Sequence, residues 1–193
     1  MSNTDVSIKR IFDIILSLIA TISLAIPGIV IAIVVKSTSR GPVLYWSERI
    51  GKNNIAFRMP KFRSMRVETP TVATHLLTDP ASHLTSVGAF LRQTSLDEIP
   101  QLYNIFRGDM SFVGPRPALY NQHDLIEMRT HLNIHTLKPG LTGWAQVNGR
   151  DDLPLPQKVT LDSDYLARQS LSFDIYIIWL TLLKVIRREG VSH

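Results

Sequence analysis

Apolar positions are spread unevenly along the chain, and one run from Ile11 to Val35 dominates the pattern. Roughly 25 helical positions at about 1.5 Å rise each would cover a hydrocarbon core of about 30 Å. Pro27 lies inside the run. It lacks a backbone donor and clashes with the carbonyl of Ser23, so a bend is expected between Ser23 and Gly28. The hydroxyls of Thr21 and Ser23 are close enough in sequence to satisfy the groups freed there. Lys9 and Arg10 precede the run, and Lys36 and Arg40 follow it. Lys and Arg mark the cytoplasmic side of a membrane segment. Basic residues at both ends therefore predict a re-entrant helix-break-helix that enters and leaves on one side. A kinked spanning helix is the alternative. A cleaved signal peptide fits less well, because the run is too long and no small-residue cleavage site follows.

Beyond Lys36 the pattern shortens. Val43 to Trp46 and Ile55 to Met59 read as two strands around the turn Gly51-Lys52-Asn53-Asn54, a small hairpin. Val67 to His83 is polar and aperiodic and reads as a loop with a turn at Asp79-Pro80, a candidate for partner choice. Val87, Phe90 and Leu91 have helical spacing within Ser86 to Arg92, and a second helix runs from Leu96 or Pro100 through Phe106. Ser95 followed three residues later by Glu98 matches a capping box, a purely structural use of that carboxylate. Leu119 to Leu132 reads as a helix, and Pro139 to Arg150 as a glycine-rich loop. Asp174 to Ile186 is apolar and closed by basic residues, too short to span a bilayer. An interfacial helix or a buried core helix would explain it.

This places the membrane segment in residues 1–40 and one cytoplasmic, membrane-associated domain in 41–193, a length that supports a single modest core. The fold class expected is α/β and mostly helical: a re-entrant membrane helix, amphipathic interfacial helices and a small catalytic domain containing the hairpin. The 193 residues include no cysteine, which excludes a disulfide framework and a thiolate zinc site. A net charge of +5 suits an anionic membrane face or a phosphate-bearing substrate. Nucleic acid is disfavoured, because the basic residues are scattered and no nucleic-acid-binding motif occurs. His75, His83, His123, His131 and His135 lack zinc-ligand spacing with acids and read as surface or loop residues. Tyr45 and Trp46 read as packing or interfacial anchors, and Met59, Met65 and Met110 as core filler.

Candidate chemistry concentrates in Leu96-Asp97-Glu98-Ile99-Pro100, two adjacent acids between apolar residues. Around it in sequence stand Lys61, Arg63, Arg92, Arg107 and Arg116, each in a short segment that reads as a turn. Guanidinium groups bind phosphate bidentately. Mg²⁺ binds through one or two carboxylates plus substrate phosphates. Pro115-Arg116-Pro117 holds an arginine between two residues of fixed φ, which preorganises it toward an anion. Surface ion pairs between these arginines and Asp97, Glu98 and Asp109 are the plain alternative.

The chain resembles the monotopic phosphoglycosyl transferases, bacterial sugar transferases that prime cell-surface glycan assembly, and its compact length resembles their small catalytic-core members. The resemblance is carried by Lys9-Arg10-Ile11-Phe12-Asp13, Lys61-Phe62-Arg63-Ser64-Met65, Thr94 to Leu102, Gly108 to Pro117 and Lys138 to Arg150, in that order. It implies transfer of a sugar 1-phosphate from a UDP-sugar to undecaprenyl phosphate with release of UMP, at the cytoplasmic face of a bacterial inner membrane. By this resemblance Asp97 is the nucleophile that forms an aspartyl-phosphosugar, and Glu98 binds the cation or handles a proton. Asp97 and Glu98 would hold Mg²⁺. Arg116, Arg92, Lys61, Arg63 and Arg150 would bind substrate phosphate, and Asp162 and Tyr165 match an acid and a tyrosine frequent in the family. Downstream glycosyltransferases are implied partners.

Two departures stand out. Ile26 precedes Pro27 where the family's break often reads Ser-Pro, and Leu153-Pro154-Leu155-Pro156 replaces a tryptophan-containing helix start, a region that shapes sugar choice. Two other classes compete with this reading: a membrane-bound glycosyltransferase, which would release UDP without a carboxylate nucleophile, and a non-catalytic membrane scaffold.

Overall fold

The computed structural model describes residues 3–70, 79, 81–149 and 153–187. Helix α1 (Asn3–Ser23) and helix α2 (Ala25–Thr38) carry the long apolar run and meet at Leu24 with a bend of 60°. No single helix among the described residues is long and apolar enough to cross a membrane, and this bent pair passes only when taken together. The bend falls where Pro27 predicts it. Its polar groups are handled differently from the expectation: Leu24 N donates to Ala20 O and Gly28 N to Leu24 O, while the Thr21 and Ser23 hydroxyls form none of the hydrogen bonds found there.

The hairpin pairs β1 (Leu44–Ile50) with β2 (Ala56–Phe62) in antiparallel register from Leu44 opposite Phe62 to Ile50 opposite Ala56. Its strands run longer than the sequence pattern indicates. The Asn53 and Asn54 backbones at its turn adopt positive φ, a conformation that asparagine tolerates. After a short helix α3 (Gly88–Gln93), a 3-10 helix (Leu96–Gln101) leads into α4 (Leu102–Arg107). Strand β3 (Ser111–Val113) follows, and β4 (Ala118–Leu119) adds antiparallel to β1, giving the order β2-β1-β4. Because Ala118 and Leu119 are in a strand, the next helix, α5 (His123–His131), starts four residues later than expected.

The glycine-rich segment is not simply a loop. It contains β5 (Gly140–Thr142), parallel to β3, and a single helical turn α6 (Trp144–Val147). Pro156 at the first turn of α7 (Leu155–Arg168) suits a helix start, where a missing N–H removes nothing. Helix α8 (Leu171–Arg187) packs one face into the core and leaves other apolar side chains uncovered. Phe173 and Ile177 are buried with Tyr165 and Val113, while Ile175, Tyr176, Trp179 and Leu182 stay exposed. Met59 and Met110 are buried core residues as expected. Tyr45 and Trp46 are partly exposed, with the Arg58 guanidinium over the Trp46 ring.

A buried polar lock joins α1 to the rest. Lys9 forms an ion pair with Asp174 of α8 and donates to Val113 O at 3.2 Å, and Tyr165 OH donates to Asp174 at 2.6 Å. One turn later Asp13 accepts from Ser111 Oγ and Phe112 N, both at 3.1 Å. Arg10 donates to the carbonyls of Ile105 and Phe106 at the end of α4, each at 2.6 Å. Lys9 and Arg10 are thus committed to internal partners. At the far end of the pair, Val35 is fully buried with Phe62 and Leu91. Both ends of the bent pair therefore attach to one body, and Ile22, Ile26, Ile29 and Ile33 between them are exposed.

Candidate active site

The 3-10 helix sets the acids. Its first residue follows Ser95, whose left-handed backbone (φ 56°) bends the chain in from α3. Ser95 makes no side-chain cap, so the capping box is not formed and Glu98 is released from that role. The tight turn directs Asp97 and Gln101 inward, where both are buried, against β2. Gly88 lets the start of α3 approach the segment that follows β2, since a Cβ there would collide with Ser64 O.

Lys61 of β2 reaches into the acid pair. Its Nζ lies 2.7 Å from Glu98 Oε1 and 3.8 Å from Asp97 Oδ2, and Arg116 Nη1 lies 3.5 Å from the same Glu98 oxygen. Glu98 thus takes the closer contacts and Asp97 the more distant one. Burial pushes the Asp97 carboxyl above the ordinary aspartate range, and the Glu98 charge pushes the same way. Lys61, Arg92 and Arg116 pull it back down. Among the described residues the result is a desolvated carboxylate facing cations without close pairing, a suitable state for attack on an anionic centre.

Arg116 is held from behind. Arg129 Nη1 donates to Arg116 O at 2.8 Å and Arg49 Nη1 to Pro117 O at 3.2 Å, so the carbonyls of two successive residues are fixed. Arg129 is itself fixed by Asp162, with Nη2 2.6 Å from Oδ2, a pair whose side chains are 11% and 1% exposed. Burial raises the Asp162 carboxyl above its ordinary range against the pull of Arg129. Beneath the loop, Gly140 N donates to Pro115 O at 2.9 Å and Gly114 N to Thr142 O at 3.0 Å. A Cβ at Gly114, Gly140 or Gly143 would collide with the facing backbone, so these glycines serve close packing.

The sequence profile of the family described as Bacterial sugar transferase matches residues 4–188, nearly the whole chain. The chain belongs to this family. It is 42% identical over 94% of its length to a UDP-glucose:undecaprenyl-phosphate glucose-1-phosphate transferase of Xanthomonas campestris pv. campestris, covering 39% of that relative. A UDP-galactose-lipid carrier transferase of Erwinia amylovora is 38% identical over 95% of this chain, which covers 41% of it. The Exopolysaccharide production protein ExoY of Sinorhizobium fredii is 34% identical over 94% of this chain and 87% of its own length. The chain therefore spans about two fifths of the first two relatives and most of the third.

In this member of the family the site residues expected from sequence do not all come together. Lys61, Asp97, Glu98, Arg92 and Arg116 act on one another electrostatically. Arg63 is drawn elsewhere: it is buried and donates to Ser39 O and Ser39 Oγ at 3.2 and 3.0 Å, bracing the exit of α2. The segment after α2 crosses close over the Arg63 guanidinium, whose Nε and Nη1 make no hydrogen bond among the described residues. Arg150 lies outside the described residues, as do His75 and Pro80. Asp162 and Tyr165 are buried supports. Arg49, Arg129 and Asp174 were not singled out by sequence reasoning. A signal did exist for Asp13 and Asp174: a charge inside an apolar run must be paired if it is buried.

Among the described residues no three His, Cys, Asp or Glu side chains converge as a closed metal site. Two adjacent carboxylates, one of them desolvated and raised in pKa, do fit a hard cation whose remaining ligands come from substrate phosphate and water. Glu98 and Asp97 are the residues that would hold it.

Proposed function

We propose that the chain transfers a sugar 1-phosphate from a UDP-sugar to undecaprenyl phosphate through a covalent intermediate on Asp97. One observation carries the reading: a buried carboxylate stands in a cationic setting while its neighbour Glu98 takes the close ion pairs. A merely structural aspartate would hold a close partner, as Asp174 and Asp162 do.

An Asp97 oxygen attacks the sugar-linked phosphorus, and the diphosphate P–O bond breaks with its electron pair leaving on UMP. An oxygen of undecaprenyl phosphate then attacks the same phosphorus. The Asp97 carboxylate leaves, and a lipid-linked diphosphosugar forms. Neither step changes oxidation state. Arg116 is held ready to meet phosphate charge, Lys61 and Arg92 favour the ionised form of Asp97 against its burial, and Glu98 orients Lys61 and Arg116. Mg²⁺ held by Asp97 and Glu98 would supply further neutralisation of the transferring phosphoryl group.

The bent pair α1–α2 is read as a re-entrant element on the cytoplasmic side of a bacterial inner membrane. Its support is the attachment of both ends to one body and the exposed isoleucines between them. The exposed apolar face of α8 fits an interfacial helix. The two relatives named for glucose and galactose leave the sugar open. The product would feed glycosyltransferases that extend a surface glycan.

Nucleotide release tests the reading. Purified protein, Mg²⁺, undecaprenyl phosphate and a panel of UDP-sugars should yield UMP with one donor, and none with Asp97→Asn. Release of UDP instead would identify ordinary glycosyl transfer and overturn the proposal.

A further inference from the structure

Away from Asp97, three cations approach one another where α4 ends. Gly108 closes α4 with a left-handed backbone (φ 101°), its N–H directed back to Asn104 O and Ile105 O. A methyl group built on Gly108 would sit 3.3 Å from Arg10 Nη2 and 3.6 Å from Lys138 Nζ. The vacant side-chain position of this glycine is therefore a point on which two cationic nitrogens converge. Lys52, from the hairpin turn, adds its charge to the same group.

The acids nearby are engaged. Asp13 is bonded to Ser111 and Phe112, and Asp109 accepts from Asn104 at 3.2 Å and pairs with Arg107 at 3.4 Å. Arg10 spends two donors on the α4 carbonyls and, as a guanidinium, retains others. Lys138 is half-buried, and its Nζ makes no hydrogen bond or ion pair with any described residue. If Lys138 served only to cap α4 it would reach a carbonyl, as Arg10 does. Its ammonium is pushed below the ordinary lysine range by burial and by the Arg10 and Lys52 charges, against the pull of Asp13 and Asp109. An oxyanion between Arg10 and Lys138 would relieve that repulsion.

The surroundings identify the anion's carrier. Ile11 follows Arg10 directly, Phe106 supplies one of the carbonyls that Arg10 binds, and both side chains are more than half exposed. From Ile11 an exposed apolar stripe continues through Ile15, Leu18 and Ile22 along α1. Two converging cationic nitrogens at the head of an apolar track fit an amphiphile with an anionic head.

We propose that Arg10 and Lys138, over Gly108 and assisted by Lys52, bind the phosphodiester of a membrane phospholipid whose acyl chains follow the α1 stripe. The site rests on the proposed membrane placement of α1 and is independent of the chemistry at Asp97.

The test is a titration of the full chain in neutral detergent with soluble short-chain phosphatidylglycerol, read by NMR of the lysine ε-carbons, with Lys138→Gln providing the assignment. Wild type and Asp97→Asn should show one saturable site that moves the Lys138 signal. Lys138→Gln should bind at least about fivefold more weakly, Lys138→Arg should restore affinity, and Lys36→Gln, at the end of α2, should leave it unchanged. Gly108→Ala fills the cradle and should abolish the site. Its left-handed backbone strains that variant, so the lysine variants decide. Undiminished binding by Lys138→Gln, equal losses in Lys138→Gln and Lys36→Gln, or displacement by inorganic phosphate at the concentration of the lipid would each overturn the proposal. If the lipid fails to bind while the protein still floats with vesicles, the site is wrong and the membrane reading survives.

Discussion

Asp174 and Asp97 are both buried acids facing a lysine, yet their surroundings differ in completeness. Asp174 has Lys9 in direct contact and the Tyr165 hydroxyl at 2.6 Å, and the same lysine reaches Val113 O. Among the described residues Asp97 has its nearest ion-pair partner, Lys61, at 3.8 Å, because Glu98 holds that lysine more closely. Burial raises both carboxyls above the ordinary aspartate range. One cluster is saturated with partners and ties α1 to β3, α7 and α8. The other leaves a desolvated carboxylate under-paired. A saturated buried acid stabilises structure, and an under-paired one is held in readiness for a substrate charge.

The sharpest way to break this contrast is to neutralise each acid. Asp97→Asn should lower turnover by at least about 10³-fold, since a nucleophile is removed outright. The same change should leave thermal stability intact or raised. The sign follows from linkage: a folded-state pKa above the unfolded value means the folded chain is penalised as pH rises through that range, and asparagine removes the penalty. A marked fall in melting temperature would show Asp97 to be structural after all.

Lys9→Met should do the reverse. Removing one partner of a buried pair leaves Asp174 uncompensated, a loss of about 3–5 kcal/mol that a chemical denaturation curve would register. Asp174→Asn should be milder than Lys9→Met, because the amide oxygen still accepts from the Lys9 ammonium or the Tyr165 hydroxyl. Equal stability of wild type and Lys9→Met would remove the lock from the account.

Arg116→Gln should lower kcat by about 10²–10³-fold, the loss expected for one preorganised donor, with little change in folding. Arg129→Met should share part of that kinetic loss by freeing the Arg116 carbonyl, and should also destabilise through stranded Asp162. Steady-state kinetics beside thermal melts separates the two.

The smallest effect concerns pH. Catalysis needs ionised Asp97, so kcat/KM should fall as pH drops through a pKa above the ordinary aspartate range. Lys61 lowers that pKa, so Lys61→Met should move the acid limb to higher pH. A limb that stays in place or moves down would contradict the assigned electrostatics.

How much of this was legible in the sequence depends on how local the cause is. The bend at Pro27, the hairpin turn at Gly51 to Asn54 and the Asp97-Glu98 pair are written in adjacent residues, and the structure bears out the bend and the hairpin. The capping box is not formed: Ser95 adopts a left-handed backbone and makes no side-chain cap hydrogen bond. The strand inside the glycine-rich segment was missed because its stability comes from backbone contact with Gly114, not from apolar alternation. Lys9 and Arg10 read as a membrane-flanking charge pattern, and their actual partners lie 165 and 95 residues away along the chain, beyond any local rule. Arg63 likewise finds its partner in Ser39, 24 residues away along the chain.

The most direct measurement is the intact mass of the protein after exposure to its UDP-sugar and Mg²⁺ without lipid acceptor. A mass gain of one phosphosugar, mapped to Asp97 and discharged on adding undecaprenyl phosphate, is the expected result. Turnover by a protein that never carries the adduct, or an adduct on another residue, would contradict the assignment of Asp97 as the nucleophile.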